Sequence, residues 1–372
     1  MTAYLVFADA LTALGAGRDL WAALKAGQSG LSATNEVFPN WFPDKSSRIG
    51  VFKELGESSN RAARILDMAR ERILPAEVSK CDFIVGACSL GDLTGPCKGE
   101  PHEQLQQGFQ QMFPHLTAEK TMLVSSACSS GTDGFATAAM LVESGLEDVV
   151  GVFAFDTLEP GKLLQHFALG TQSVDGAKPF DSGRDGTSFG EGAAFAIIAN
   201  ERGLTRFQQP PLAVVAGYGM SCDAMDITAP DTSGEQPAQA IARALAHDES
   251  LLSRVGYINA HGSGTHLNDS TEALALRQVF GERLSRIPVS GTKGATGHLA
   301  GGTGLAELVF TAWALDEGLA PATAGLTDVD GSLGLCVANH TQAIPAGLDA
   351  AMSVTFGFGG VNSAVILERF QV

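Results

Sequence analysis

The chain has 372 residues, 45% of them hydrophobic, and a net charge of −17 at pH 7. That length can bury one large core or two medium ones, and the negative charge argues against nucleic acid or an anionic membrane as partner. No apolar run approaches the roughly eighteen residues of a membrane span. The opening Met1–Gly17 carries Asp9 and no basic start, and the six cysteines (81, 88, 97, 128, 222, 336) contain no CxxC pair. The expectation is a cytoplasmic protein with no signal peptide, membrane insertion, metal site or disulfide framework.

In chain order the patterning predicts helices over 20–25 and 60–73, and then strands over 83–85 and 122–125. A helix follows over 131–144, with strands over 149–155, 193–198 and 212–217. Next come a helix over 236–246, a strand over 257–260 and a helix over 270–280. The series closes with a strand at 289–290, a helix over 304–316 and a strand over 353–355. Strands alternating with helices throughout indicate an α/β fold with covered sheets. The one plausible boundary is Glu201–Pro211, with Gly203 and Pro210-Pro211. It divides the chain into 1–205 and 206–372.

Four segments carry chemistry. In the first, Val124-Ser-Ser-Ala-Cys128-Ser-Ser-Gly-Thr-Asp-Gly134, an apolar lead runs through small residues into a helical pattern. Cys128 thus falls at a strand-to-helix turn, where free N–H groups and the helix dipole favour a thiolate. Two readings fit: a nucleophile with room beside its sulfur for an acyl group, or a buried structural cysteine. The second and third segments are Val255-Gly-Tyr-Ile-Asn-Ala-His261-Gly-Ser-Gly-Thr265 and Val289-Ser-Gly-Thr-Lys293-Gly-Ala-Thr-Gly-His298-Leu-Ala-Gly-Gly302. Each sets a histidine in a Gly-rich turn after a short apolar strand, where the backbone can approach a ligand. Either histidine alone could be a hydrogen-bonded structural residue. The fourth, Phe356-Gly-Phe358-Gly-Gly-Val-Asn362, is a glycine turn between two strand-like runs. It can aim N–H groups at an oxyanion, or can simply let Phe358 pack.

Together these segments resemble the β-ketoacyl-acyl-carrier-protein synthases, decarboxylating condensing enzymes with a thiolase-like fold. The likeness lies in the order Cys128, His261, His298 and in their neighbours: His261-Gly-Ser-Gly-Thr265 with Asn268, Asp269 and Glu272; Lys293, His298 and Glu307; the turn around Phe358; and Lys178-Pro-Phe-Asp-Ser-Gly-Arg184-Asp185-Gly-Thr-Ser-Phe-Gly190-Glu191-Gly192. It covers roughly residues 80 to 372. The resemblance implies two similar halves in a five-layered αβαβα arrangement, the first carrying the nucleophilic cysteine and the second both histidines. It implies decarboxylative Claisen condensation of an acyl group on Cys128 with malonyl-acyl carrier protein, and no cofactor. His261 and His298 would donate to the malonyl thioester carbonyl, and the backbone N–H groups of Cys128 and Phe358 would form the oxyanion hole. Lys293 would pair with Glu307 behind the histidines, Glu272 would organise them, and Phe358 would gate acyl entry or pack. Arg184, Asp185 and Glu191 read as architectural.

The partners implied are acyl carrier protein, its acyl and malonyl thioesters, and a twin or a paralogous ketosynthase-like chain in a dimer. The basic stretch Lys45–Arg72, with seven basic side chains against five acidic ones counting Asp44, is the candidate docking patch for an acidic carrier. A thiolase would need a second cysteine in the C-terminal glycine turn, and Phe358-Gly359-Gly360 stands there. A starter-type synthase would have Asn at His298. The remaining alternative is a non-catalytic, chain-length-setting subunit of a heterodimeric ketosynthase, which usually lacks the nucleophile. Thr187 stands where Phe is common in the family. The stretch between Cys81 and Cys128 reads as short, which points to specialised polyene or polyketide-type products.

Overall fold

Apolar alternation builds two sheets with the same plan. The computed structural model describes residues 1–58, 60–89 and 108–371. In the first half, β1 (Tyr4–Thr12), β2 (Phe83–Ala87), β3 (Thr121–Val124), β4 (Val149–Asp156) and β5 (Gly192–Ala199) lie in the order β3-β2-β4-β5-β1. Strand β2 runs parallel to β3 and β4, whereas β5 is antiparallel to β4 and β1. In the second half, β6 (Ala213–Cys222), β7 (Val255–Ala260), β8 (Pro288–Gly291), β9 (Ala350–Gly357) and β10 (Val361–Arg369) lie as β8-β7-β9-β10-β6 with the same directions. Both halves therefore follow one strand order, and the duplication implied by the resemblance stands in the topology although the sequence shows no repeat. The sheets join edge to edge where Tyr4 and Leu5 pair with Val214 and Ala213.

Period-two alternation sorts each strand between two cores. Along β4, Val150, Val152 and Ala154 face the central core, while Val149, Phe153 and Phe155 face an outer one. Along β10, Val365 and Leu367 face the centre, and Ala364 and Ile366 face outward. Helices α1 (Arg61–Arg72), α2 (Ser130–Glu143), α3 (Pro160–Ala168), α4 (Glu235–Leu245), α5 (His266–Phe280) and α6 (Thr303–Glu317) complete the layers. Helix α6 is apolar nearly all round and α2 is rich in Ala and Gly, as befits helices enclosed on every side. They fill the space between the sheets. Helix α1 covers the outer face of the first sheet, and α4 and α5 that of the second. These are the five expected layers. Among the described residues no helix is long and apolar enough to cross a membrane.

One surface expectation needs correction. Arg61, counted in the basic patch, is fully buried with its guanidinium on Glu191, Nε to Oε2 3.0 Å. Glu191 also accepts the N–H groups of Phe52 and Leu158 at 3.0 and 3.1 Å. A carboxylate buried this deeply needs a counter-charge, so the arginine is drawn inward and the patch loses a cation. Cys97, and residues 90–107 of the stretch read as short, lie outside the described residues.

The two central helices touch through glycine. A Cβ on Gly131 would lie 2.6 Å from the backbone nitrogen of Leu305, and one on Gly304 would lie 2.0 Å from the Thr132 hydroxyl. Gly131→Ala is expected to destabilise the fold by about 1–3 kcal/mol through overpacking against backbone, read as a lowered Tm. An unchanged Tm would mean that the helices can part at no cost.

Candidate active site

The cysteine turn is built by local hydroxyls. After β3 the chain makes a single helical turn, Ala127–Ser129, with Ala127 at φ 52°, a left-handed conformation that Ala rarely adopts. Ser130 Oγ closes the turn by donating to Ala127 O at 2.6 Å and accepting from Ser126 N at 2.9 Å. Asp133, in the first turn of α2, accepts from Ser129 Oγ at 2.9 Å and from the hydroxyls of Ser126 and Ser363. Cys128 is thereby fixed just ahead of α2. The C-terminal glycine turn lies against it: a Cβ on Gly357 would be 3.3 Å from Cys128 N, and the Phe358 N–H reaches the cysteine sulfur.

The expectation of a ready thiolate is not met in this resting arrangement. Burial pushes the Cys128 thiol up from its ordinary value, against the pull of the Phe358 N–H and of Lys293. The Phe358 N–H and the charge of Lys293 act in the expected direction, and partial burial of the sulfur beside the cleft outweighs them.

Both histidines reach the same place. His261 follows β7, and Glu272 on α5 fixes it by accepting the N–H groups of His261 and Gly262 at 2.7 and 2.8 Å. Burial pushes the Glu272 carboxyl up to about 8 even against the Gly262 N–H. Lys293 is fully buried, donating to Glu307 Oε1 at 2.6 Å and to the His261 carbonyl. Burial also raises the Glu307 carboxyl, with Lys293 holding it back. The rings of His261 and His298 stand edge to face, 5.3 Å between centroids. Burial, followed by the charge of Lys293, holds both imidazoles well below their ordinary range, so both are neutral near pH 7. The His298 Nδ1 accepts the Ala300 N–H at 2.9 Å. Its proton therefore sits on Nε2, and His298 is a neutral donor.

Cys128, His261, His298 and Phe358 line one cleft of about 420 Å³, with Thr187, Phe189 and Thr265 on its walls. The sequence reading thus found the residues that the structure brings together. It missed Asp133 and also Asp156, a buried carboxylate at the end of β4. The signal for Asp156 was present: an apolar strand that is buried throughout ends in a charge. Arg184 holds Asp330 at 2.8 Å, and Asp185 accepts the Val174 N–H at 3.2 Å, so both tie loops as expected.

Comparison with known proteins matches residues 120–202 to the N-terminal domain, and 212–327 to the C-terminal domain, of β-ketoacyl synthases. Together the two matches span more than half of the chain. The chain belongs to the β-ketoacyl synthase family. A 3-oxoacyl-[acyl-carrier-protein] synthase 2 from Synechocystis sp. is 35% identical over 254 residues, covering 66% of this chain and 61% of that protein. Nodulation protein E from Rhizobium meliloti is 33% identical over 250 residues, with 66% and 61% covered. The chain thus spans about three fifths of the length of these relatives. In fold it is similar to a structure of a type II polyketide synthase acyl-carrier protein in complex with its ketosynthase bound to the hexaketide (TM-score 0.86, 21% identity, 100% of this chain and 99% of that one). It is likewise similar to a ketosynthase in complex with its chain length factor from Xenorhabdus doucetiae (TM-score 0.80, 24% identity, 99% and 98% covered).

As a ketosynthase-family chain with a raised thiol, it should be alkylated slowly at neutral pH. The iodoacetamide rate at Cys128 is expected to keep climbing as pH rises past 9, the ordinary thiol value. A plateau below pH 8, followed by peptide mass spectrometry, would show a thiolate already formed.

Proposed function

We propose that this protein is a β-ketoacyl-acyl-carrier-protein synthase, catalysing decarboxylative Claisen condensation in fatty-acid or polyketide-type biosynthesis. The observation that carries the reading is the cleft itself, where one cysteine faces two neutral histidines and the N–H of Phe358.

In the first stage the Cys128 sulfur attacks the carbonyl carbon of an acyl-carrier thioester. A C–S bond forms, the N–H groups of Cys128 and Phe358 hold the oxyanion, and the carrier thiol leaves with the proton given up by Cys128. In the second stage a malonyl thioester binds, and the Nε2–H of His298, with His261 beside it, donates to the thioester carbonyl. The carboxylate carbon–carbon bond breaks, carbon dioxide leaves, and the electron pair becomes an enolate stabilised by those donors. The enolate carbon attacks the acyl-enzyme and expels the Cys128 thiolate, releasing a β-ketoacyl thioester. Neutral histidines suit this step, because a donor is needed at a developing charge and no proton has to be transferred. Lys293, Glu307 and Glu272 hold the donors in place, and Phe358 stands at the acyl entry.

In this reading residues 1–205 form the half carrying the nucleophile, and 206–372 the half carrying both histidines. The protein works in the cytoplasm with acyl carrier protein, as a homodimer or beside a paralogous ketosynthase-like chain. Strand β3 supports a dimer: among the described residues it has a neighbour on one side only, and its Met122 is exposed.

Incubation with a panel of acyl-carrier thioesters should add the acyl mass to the protein and nothing to Cys128→Ala. His298→Ala should still load acyl groups while losing decarboxylation by roughly 10²-fold or more, the scale for removing one oxyanion donor. Failure to load across the panel, with or without a co-expressed paralogue, would favour the non-catalytic, chain-length-setting subunit.

A further inference from the structure

Beneath the cleft lies a charged cluster to which the condensation gives no part. Asp156 ends β4 and is 3% exposed, and Lys162, on α3, is 9% exposed. The Lys162 ammonium pairs with Asp156 Oδ1 and donates to Ser89 Oγ at 2.9 Å. The other carboxylate oxygen, Oδ2, accepts the N–H of Ser89 at 3.1 Å, the Ser89 hydroxyl, and the N–H of Gly301 at 2.9 Å. Only the last of these crosses to the second half of the molecule, and it lands three residues after His298.

The turn that it grips sets the tautomer of His298. Ala300 has φ 44°, left-handed and strained for an alanine. In that conformation its N–H turns back onto His298 Nδ1 at 2.9 Å. Thr303 Oγ1 lies 3.0 Å from the same nitrogen and is a hydroxyl, so it donates or accepts equally well. The Ala300 N–H alone obliges Nδ1 to be an acceptor. Asp156 pins the next peptide, and the close fit of Gly301, whose Cβ would lie 2.1 Å from Ser89 N, leaves the turn no room to shift toward the first half.

We infer that Asp156, with its charge balanced by Lys162, is a positioning residue that keeps the His298 proton on Nε2, facing the cleft. This rests on the donor role proposed for His298. Asp156→Asn is expected to load acyl groups on Cys128 within twofold of wild type and to decarboxylate malonyl-acyl carrier protein roughly tenfold more slowly, the loss expected for one charge-assisted hydrogen bond. That variant strands the Lys162 charge and could unfold for that reason alone. Asp156→Asn/Lys162→Met removes both charges and should restore the wild-type Tm while decarboxylation stays slow. The ¹⁵N signals of the His298 ring, assigned with His298→Ala, should report Nε2–H alone in wild type and both tautomers in the double variant. A double variant with a single Nε2–H tautomer and wild-type decarboxylation would overturn the inference. If wild type itself neither loads nor decarboxylates, the proposed activity fails, while the ring signals still decide whether Asp156 holds the proton.

Discussion

Everything at this site depends on how closely α2 and α6 approach. Cys128 stands at the entrance to one helix, and His298 belongs to the turn that leads into the other. Their separation is therefore set where the helices cross, at Gly131 and Gly304, positions at which any side chain would strike backbone or a buried hydroxyl. A few tenths of an ångström there would move Cys128 relative to His298, and reactions of oriented groups are steep functions of such displacements. The hydrophobic core around the two helices is largely Ala, Leu and Val in close contact, so the crossing has little freedom to relax.

On this rigid crossing the protein places unusually many buried ionisable groups. Lys293, Glu307, Glu272, Asp269, Asp156, Lys162, Arg61 and Glu191 are all withdrawn from water. Each is tolerated because partners meet it: an ion pair for Lys293 and for Arg61, and backbone N–H groups for Glu272 and Asp269. Such pairs add little net stability compared with apolar residues of the same volume. Their consequence is geometric. A carboxylate that holds two or three N–H groups at once fixes a loop in one conformation, and the loops so fixed carry His261 and His298.

The fold was legible because periodicity is a local property. Runs such as Val149–Phe155 and Tyr257–Ala260 announce buried strands, and the helix over 131–144 follows from the spacing of Phe135, Ala138, Ala139 and Val142. The duplication was not legible, since it consists of strand order and direction, to which sequence similarity between the halves is unnecessary. The cleft residues were legible for another reason: Cys128, His261, His298 and Phe358 sit in short contiguous motifs of small residues. Their supports are distant in sequence. Asp133 meets Ser363 from 230 positions away, and no local pattern signals that contact. For Cys128 the helix N-terminus can be read from residue order, whereas how far the sulfur is withdrawn from water cannot.

The two halves contribute unequally to a site that neither contains. The first half gives Cys128 and the carboxylate Asp156, and the second gives the histidines and the turn around Phe358. Burial makes the histidines neutral, and neutrality leaves each with two possible tautomers, only one of which presents Nε2–H as a donor. Burial alone therefore cannot specify a hydrogen-bond donor; a fixed partner at Nδ1 must do so. For His298 that partner is a backbone N–H in a strained turn, and a strained turn persists only where its surroundings over-determine it. The surroundings here are a carboxylate from the opposite half. The contact between halves thus does more than enclose the cleft: it selects the protonation state with which one of its two histidines faces the cysteine.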